Sequence, residues 1–249
     1  MSFNYREPVV QDMQRSYTRL LDLHTALHPR VRTHHLDLHP RWQKSSIICQ
    51  QSAASTDQAD SWVLTYFRSR EQAEVIERMM GKETHHQGVE LDTYRHPVIE
   101  LRMTPDYFAV ELIVSPGAWW DQQNLVGKLE IAQHRAAFRS LLRELDPDYR
   151  FGFWNGTHLS DMHLTTAQLL KGRMLDDWMN TFTEGMDWLR IGKWYSIDDP
   201  ILEPTTIMAE AFEVVKALHP IYSFLLWTGN NNFHSFYEKR QRTLRRAYN

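Results

Sequence analysis

The sequence has a single cysteine, Cys49, among its 249 residues, and this scarcity excludes an internal disulfide. A disulfide-free chain is typical of reducing compartments, and the first residues lack a secretory signal pattern, so we expect a cytoplasmic protein. No uninterrupted apolar run approaches the roughly 20 residues that a membrane-spanning helix needs, which predicts no membrane association. The formal net charge of −3 gives no overall basic field that would attract nucleic acid.

Several catalytic signatures are also missing. The sequence contains no Gly-x-Ser-x-Gly segment, which argues against a serine nucleophile elbow, and no glycine-rich loop of the kind that cradles phosphates. Chemistry on ATP, GTP or dinucleotides is therefore not predicted, and no motif implies a cofactor. Cys49 lies in an apolar, strand-like run, and we interpret it as an inert buried thiol.

A β-hairpin is the clearest pattern that the sequence does contain. Apolar and polar residues alternate from Val98 to Val114 on both sides of a turn at Pro105, as in strands with one buried face. Proline has a fixed negative φ, which excludes a two-residue primed turn. A four-residue loop pairs Met103 with Phe108 and brings both apolar stripes to the same side, so we expect this register.

The same register places two carboxylates opposite each other. Glu100 faces Glu111 across the predicted ladder, and Arg102 is a diagonal neighbour. Facing carboxylates repel each other unless a cation or a shared proton lies between them. One interpretation is an acid/base or metal-binding pair. The other, which we favour, is a solvated sheet face on which Arg102 bridges the two acids.

Helical periodicity marks two long segments in the first part of the chain. Apolar residues recur at helical spacing over residues 7–28, and we expect Pro29 to end this helix. A second helix is predicted over residues 122–145, with Asp121 as its N-terminal cap.

The C-terminal part of the chain contains two further predicted helices. One has Pro204 in its first turn and is broken at Pro220, and the other covers residues 233–248. Residues 188–197 fit either a strand or a helix. Together with strand-like runs at residues 47–49, 62–67 and 151–154, these patterns predict an α+β fold with a central, mainly antiparallel sheet packed by amphipathic helices. We expect a single domain over residues 1–249, with a C-terminal helical segment from about residue 205.

Five segments follow one another in a recognisable order. They are residues 60–64 (Asp-Ser-Trp-Val-Leu), the hairpin with the helix after it, 153–158 (Phe-Trp-Asn-Gly-Thr-His), 170–173 (Leu-Lys-Gly-Arg) and 218–222 (Leu-His-Pro-Ile-Tyr). Their order across most of residues 15–227 resembles the YktB-like family of uncharacterised bacterial proteins. The resemblance implies an α+β fold and a bacterial source. It implies no activity, because that family has no settled one.

Seven of the thirteen histidines fall in three small clusters, and histidine is the most common metal ligand. No cluster has the spacing of a known zinc motif, so we interpret most of these residues as loop histidines. The best metal candidate is the set His158, Asp161 and His163, which follows a strand-like run ending at Trp154.

The C-terminus and the tryptophans offer a binding interpretation. Five cations, Lys239, Arg240, Arg242, Arg245 and Arg246, crowd one predicted helix, where they could contact phosphate or an acidic partner. The other interpretation, which we favour, is a terminal amphipathic helix whose cations are solvated and suit the helix end. Trp119, Trp120 and Trp227 could line an aromatic pocket for a ligand, or, as we favour, cover the apolar face of the hairpin. Trp154 is a further binding candidate.

The sequence leaves two classes of function open. The first is a non-catalytic binding or assembly module that acts through a protein partner, through a second copy of itself, or through nucleic acid bound by the C-terminal basic helix. The second is a metal-dependent hydrolase, for example a phosphodiesterase or nuclease. In that case a divalent ion on His158, Asp161 and His163 activates water, and Glu100, Glu111 or Asp161 takes the proton.

Overall fold

The computed structural model describes residues 6–41, 45–50, 61–79, 92–104, 106–153 and 163–233. These residues contain one eight-stranded sheet packed by helices, which confirms the predicted α+β class. The strands are β1 His39–Pro40, β2 Ile47–Gln50, β3 Ser61–Phe67, β4 Val98–Met103, β5 Tyr107–Val114, β6 Arg150–Gly152, β7 His163–Thr165 and β8 Leu189–Ser196. The helices are α1 Arg6–Thr33, α2 Arg70–Met79, α3 Trp119–Leu129, α4 Ala132–Arg143, α5 Thr166–Leu169, α6 Met174–Met179 and α7 Ile207–Leu225.

The strands follow the order β1-β3-β4-β5-β8-β6-β7, and β2 pairs with β3 beside β1. All of these pairings are antiparallel. Strand β8 comes last in the chain but inserts between β5 and β6. Strands β6, β7 and β8 therefore complete the central sheet, and residues 188–197, which the sequence left ambiguous, are mainly a strand.

The hairpin has the register that the sequence predicted. Met103 pairs with Phe108, and Glu100 pairs with Glu111. The amide of Thr104 donates to the carbonyl oxygen of Tyr107 over 2.9 Å, as expected for a four-residue loop. One face of the sheet is covered by α1 and α7, and its apolar side chains belong to the main core. We call it the helix-covered face.

Two prolines lie inside helices that they were expected to end. Helix α1 continues through Pro29 to Thr33, and α7 continues through Pro220 to Leu225. In α1 the buried stripe extends past the proline, because Val31 is as fully buried as Leu27. Proline costs a helix interior about 3 kcal/mol, and burial of a few side chains at roughly 1.5–3 kcal/mol each outweighs that cost.

The predicted helix over residues 122–145 is two helices. Helix α3 ends at Leu129, and α4 begins at Ala132. The expected cap was also wrong: Ala118 is the N-cap, and Asp121 lies inside the first turn with 1% of its surface exposed. Its carboxylate accepts a hydrogen bond from the side chain of Arg68, which lies 53 residues earlier in the chain.

Some smaller expectations also changed. Helix α7 begins at Ile207, after Thr206, so Pro204 precedes the helix. Cys49 is exposed rather than buried. The predicted helix over residues 233–248 lies outside the described residues except for Phe233. No helix in the described part of the chain combines the length and apolar character needed to cross a bilayer.

The close approach of β5 and β8 predicts that Gly192 tolerates no side chain. A Cβ atom there would lie 2.2 Å from the Val110 carbonyl oxygen and 2.8 Å from the Glu111 Cα atom. We expect Gly192→Ala to lower the free energy of unfolding by about 2–3 kcal/mol, because backbone atoms cannot move aside. Gly229→Ala, which meets nothing within 4 Å, is the matched control. Equal stability of the two variants in urea unfolding would contradict the prediction.

Candidate functional site

The sheet face opposite the helix-covered face carries a buried ion cluster. Glu100 and Glu111 are 0% exposed, and Arg102 and Arg190 are 8% and 6% exposed. The favoured prediction of a solvated charged face was therefore wrong. The predicted bridge was also wrong, since each acid has its own arginine: Arg102 binds Glu100 and Arg190 binds Glu111. The arginine that binds Glu111 comes from β8, which the hairpin pattern could not reveal.

Both carboxylates of this cluster are fully engaged. The Nε atom of Arg102 lies 2.8 Å from Glu100 Oε1, and the Tyr94 hydroxyl donates to Glu100 Oε2 over 2.5 Å. Arg190 donates to both oxygens of Glu111. Burial raises the pKa of Glu111, and Arg190 opposes that shift. This arrangement directs the lone pairs of both acids to protein donors, which is typical of a structural charge network.

A second set of buried polar groups lies on α3, and it holds the chain that follows α7. Asp121 Oδ1 accepts from Arg68 over 2.5 Å and from the Trp227 amide over 2.6 Å. Arg68 also donates to the Trp227 carbonyl oxygen over 3.1 Å. Because a buried charge is stable only when it is paired and hydrogen-bonded, these contacts fix the position of Trp227.

Asn124, one turn later on α3, fixes the next part of the same segment. Its Nδ2 atom donates to the carbonyl oxygens of Leu225 and Asn231, each over 3.0 Å, and its Oδ1 accepts from the Phe233 amide over 2.8 Å. Lys128 adds a bond to Asn231 Oδ1 over 2.5 Å. Burial lowers the pKa of Lys128 to about 8, opposed by Asp121.

Gln122 performs the same role for a different segment, the turn at residues 183–187. Its Nε2 atom donates to the carbonyl oxygens of Ser115 and Asp187, each over 2.9 Å. Its Oε1 atom accepts from the Gly185 amide over 2.7 Å. Helix α3 therefore positions two segments that are distant in sequence, and both contribute to one pocket.

This pocket, which we call the aromatic pocket, has a volume of about 140 Å³. Its walls include three aromatic side chains and two acids: Trp120, Trp227, Phe233, Glu130 and Glu184. The rings of Trp120 and Trp227 have centroids 5.6 Å apart. Glu184 Oε2 is buried and has no hydrogen-bond partner within the described residues. An acceptor in that state is available to a ligand.

Two large exposed side chains lie beside the pocket. Trp119 is 44% exposed and Met186 is 74% exposed. A Cβ atom added to Gly185 would lie 3.6 Å from the Trp119 ring, so the turn that carries Met186 runs directly past Trp119. Trp119 also contacts Trp120, with ring centroids 5.0 Å apart. We call Trp119, Met186 and the aromatic pocket together the docking surface.

The structure does not bring the site residues predicted from the sequence together in one site. Trp119 and Trp120 are on the docking surface, with Trp227. The register puts His163 on the same sheet face as Arg190, with its ring 6.3 Å from Trp194. The following predicted residues lie outside the described part of the chain: Trp154, His158, Asp161, Lys239, Arg242, Arg245 and Arg246. In the described part, no group of three or more His, Cys, Asp or Glu residues could hold a metal.

Sequence reasoning missed four members of the docking surface: Phe233, Glu130, Glu184 and Met186. Phe233 was assigned to a terminal helix, Glu130 lay inside a predicted helix, and the other two lie in a turn without a motif. The available signal was the polar series Asp121, Gln122 and Asn124 beside two tryptophans, since polar residues on a helix next to exposed aromatics indicate buried contacts to another segment.

Neither a scan against protein-family models nor a search of curated proteins found a match for this chain. The resemblance to the YktB-like family therefore stays a prediction. What the site can do rests on its own geometry.

A buried histidine beside the sheet predicts acid sensitivity. His96 is fully buried, stacks on Phe67, and has no hydrogen-bond partner for either ring nitrogen within the described residues. Burial, reinforced by the guanidinium groups of Arg68 and Arg95, lowers the pKa of His96 from 6.5 to about 3. The Glu77 carboxylate, 3.7 Å from Nε2, does not offset these effects.

The unfolded chain therefore binds this proton before the folded chain does. We expect the free energy of unfolding to fall as the pH drops from about 6.5 towards 3, by up to about 1.4 kcal/mol per pH unit from this residue. His96→Phe should flatten that part of the profile, whatever its stability at pH 7. Parallel pH profiles of the two proteins in urea unfolding would show that the prediction is wrong.

The ion cluster predicts a non-additive pair of substitutions. Glu100→Leu leaves the Arg102 guanidinium buried without its carboxylate and should cost about 3–5 kcal/mol of unfolding free energy. Glu100→Leu combined with Arg102→Met removes both charges and should cost less than the single change. Glu74→Gln, at an exposed pair with Arg70, is the control and should cost about 1 kcal/mol or less. A double variant less stable than Glu100→Leu would argue against this explanation.

Proposed function

We propose that the chain is a non-catalytic binding module that holds a protein partner at the docking surface. The observation that carries the proposal is the exposure of Trp119 and Met186 next to a pocket that is already formed. Tryptophan dominates the binding energy of many interfaces, and methionine adapts to varied partners. Large apolar side chains that are exposed next to each other often mark a protein–protein interaction site.

The rigid support of the surface favours binding. Gln122 holds the turn with Met186, and Asp121 with Asn124 holds Trp227 and Phe233, each through hydrogen bonds of 3.0 Å or less. A surface whose parts are fixed before binding loses less conformational entropy when the partner arrives. Helix α3 can thus serve as a preorganised platform.

The charge of the surface favours a protein partner with basic side chains. Glu130 and Glu184 line the pocket, and among the described residues no lysine or arginine does. Phosphates would be repelled there, so nucleic acid is not the expected occupant of this surface. A nucleic-acid contact through Lys239, Arg242, Arg245 and Arg246 is a separate prediction that concerns residues outside the described part of the chain.

The proposal predicts that the surface residues decide partner capture. Purified Trp119→Ser/Met186→Ser protein should lose a protein that the unchanged chain captures from a lysate of the native host. After that protein is identified by mass spectrometry and purified, its dissociation constant should rise about 30-fold or more, because truncation of an interface tryptophan typically costs about 2 kcal/mol or more. Isothermal titration calorimetry measures this change.

The matched control is Leu21→Ser. Leu21 is 42% exposed, close to the value for Trp119, but it lies on α1. It should capture the same protein with unchanged affinity. The same captured set for all three proteins would contradict the proposal, and so would capture that disappears after nuclease treatment.

A further inference from the structure

The chemistry of the aromatic pocket identifies the group that it accepts. We propose that the pocket binds a methylated ammonium group, such as the trimethylated end of a lysine side chain on the partner. The inference rests on the proposed function, since the ligand is presented by the protein that occupies the docking surface. The inference adds to the proposed function the chemical group that the pocket recognises.

The size of the pocket restricts the ligand to one compact group. Its volume is about 140 Å³, close to the cavity of roughly 150 Å³ that holds a benzene molecule in other proteins. Sites for drug-sized ligands have volumes of roughly 300–1,000 Å³. A whole nucleotide or a sugar chain does not fit, whereas the head group of one side chain does.

The charge and the rings together favour a cation. Two carboxylates, Glu130 and Glu184, line the pocket, and the nearby ammonium of Lys128 is directed to Asn231 instead. Three aromatic side chains, Trp120, Trp227 and Phe233, also line it. A cation over such rings gains roughly 0.5–1 kcal/mol when exposed and about 2 kcal/mol or more when desolvated.

The supply of hydrogen-bond acceptors distinguishes between kinds of cation. An unmodified ammonium has three N–H donors and a guanidinium has five, and each buried donor needs an acceptor. Asn124 cannot serve, because its amide is bonded to Leu225, Asn231 and Phe233. Glu184 Oε2 is the buried acceptor in the pocket that has no partner within the described residues. A quaternary ammonium has no N–H group and needs no acceptor, so the carboxylates of Glu130 and Glu184 can balance its charge while the aromatic side chains contact its methyl groups.

Three small probes test these steps separately. Choline carries a trimethylammonium group, 3,3-dimethylbutan-1-ol is its neutral analogue of the same shape, and ethanolamine is its unmethylated analogue. We expect choline to bind at least tenfold more tightly than either analogue, measured by isothermal titration calorimetry and by saturation-transfer NMR. Equal binding of choline and the alcohol would overturn the role of charge. Equal binding of choline and ethanolamine would overturn the preference for methyl groups, and no binding of choline would overturn the proposal.

Two variants locate the binding. Glu184→Gln should weaken choline binding at least fivefold, and Trp227→Leu should abolish it while the backbone contacts to Arg68 and Asp121 remain. Glu144→Gln, at an exposed acid beyond α4, has the same change in net charge and should bind choline as the unchanged chain does. Unchanged choline binding by Glu184→Gln, with the same melting temperature as the unchanged chain, would place the binding elsewhere and contradict the inference.

The two proposals fail in different ways. Trp119 and Met186 do not line the pocket, so the Trp119→Ser/Met186→Ser variant tests partner capture, whereas choline binding to the unchanged chain tests the pocket. If that variant loses the partner but choline never binds the unchanged chain, the proposed function survives and the inference fails. If choline binds and displaces the captured partner, both are supported.

Discussion

The buried ion pair between Arg68 and Asp121 is the contact on which the docking surface depends. Its two side chains are 1% and 0% exposed, so each would be strongly destabilising without the other. The pair joins the end of β3 to the first turn of α3, and both residues bind the backbone of Trp227. A single charged contact thus fixes three segments that are far apart in sequence.

In the sheet, local sequence patterns determine some features of the fold and not others. The hairpin register followed from Pro105 and from alternation within a few residues, and the structure has that register. The burial of Glu111 could not be predicted in the same way, because Arg190 lies 79 residues away and reaches it only through the insertion of β8. Pro29 was misjudged for a related reason: local propensity predicts a break, but tertiary burial of Val31 maintains the helix.

The candidate site was predictable only in part. Trp119 and Trp120 stand out in the sequence, since paired tryptophans before a helix are unusual enough to suggest a surface or a pocket. Glu184 has no such signal, because its significance comes from a turn that Gln122 holds against α3 from 63 residues away. Chemistry that depends on the meeting of two distant segments is not contained in either segment alone.

Gly127 shows how the dimensions of the pocket are set. A Cβ atom on this residue would lie 2.5 Å from the Phe233 ring, so the ring rests directly on the helix backbone. A change of Gly127 to alanine would displace that ring and reshape the cavity without altering any charge. The dimensions of the pocket can therefore diverge between related chains through a spacer position, while its charged and aromatic lining stays the same.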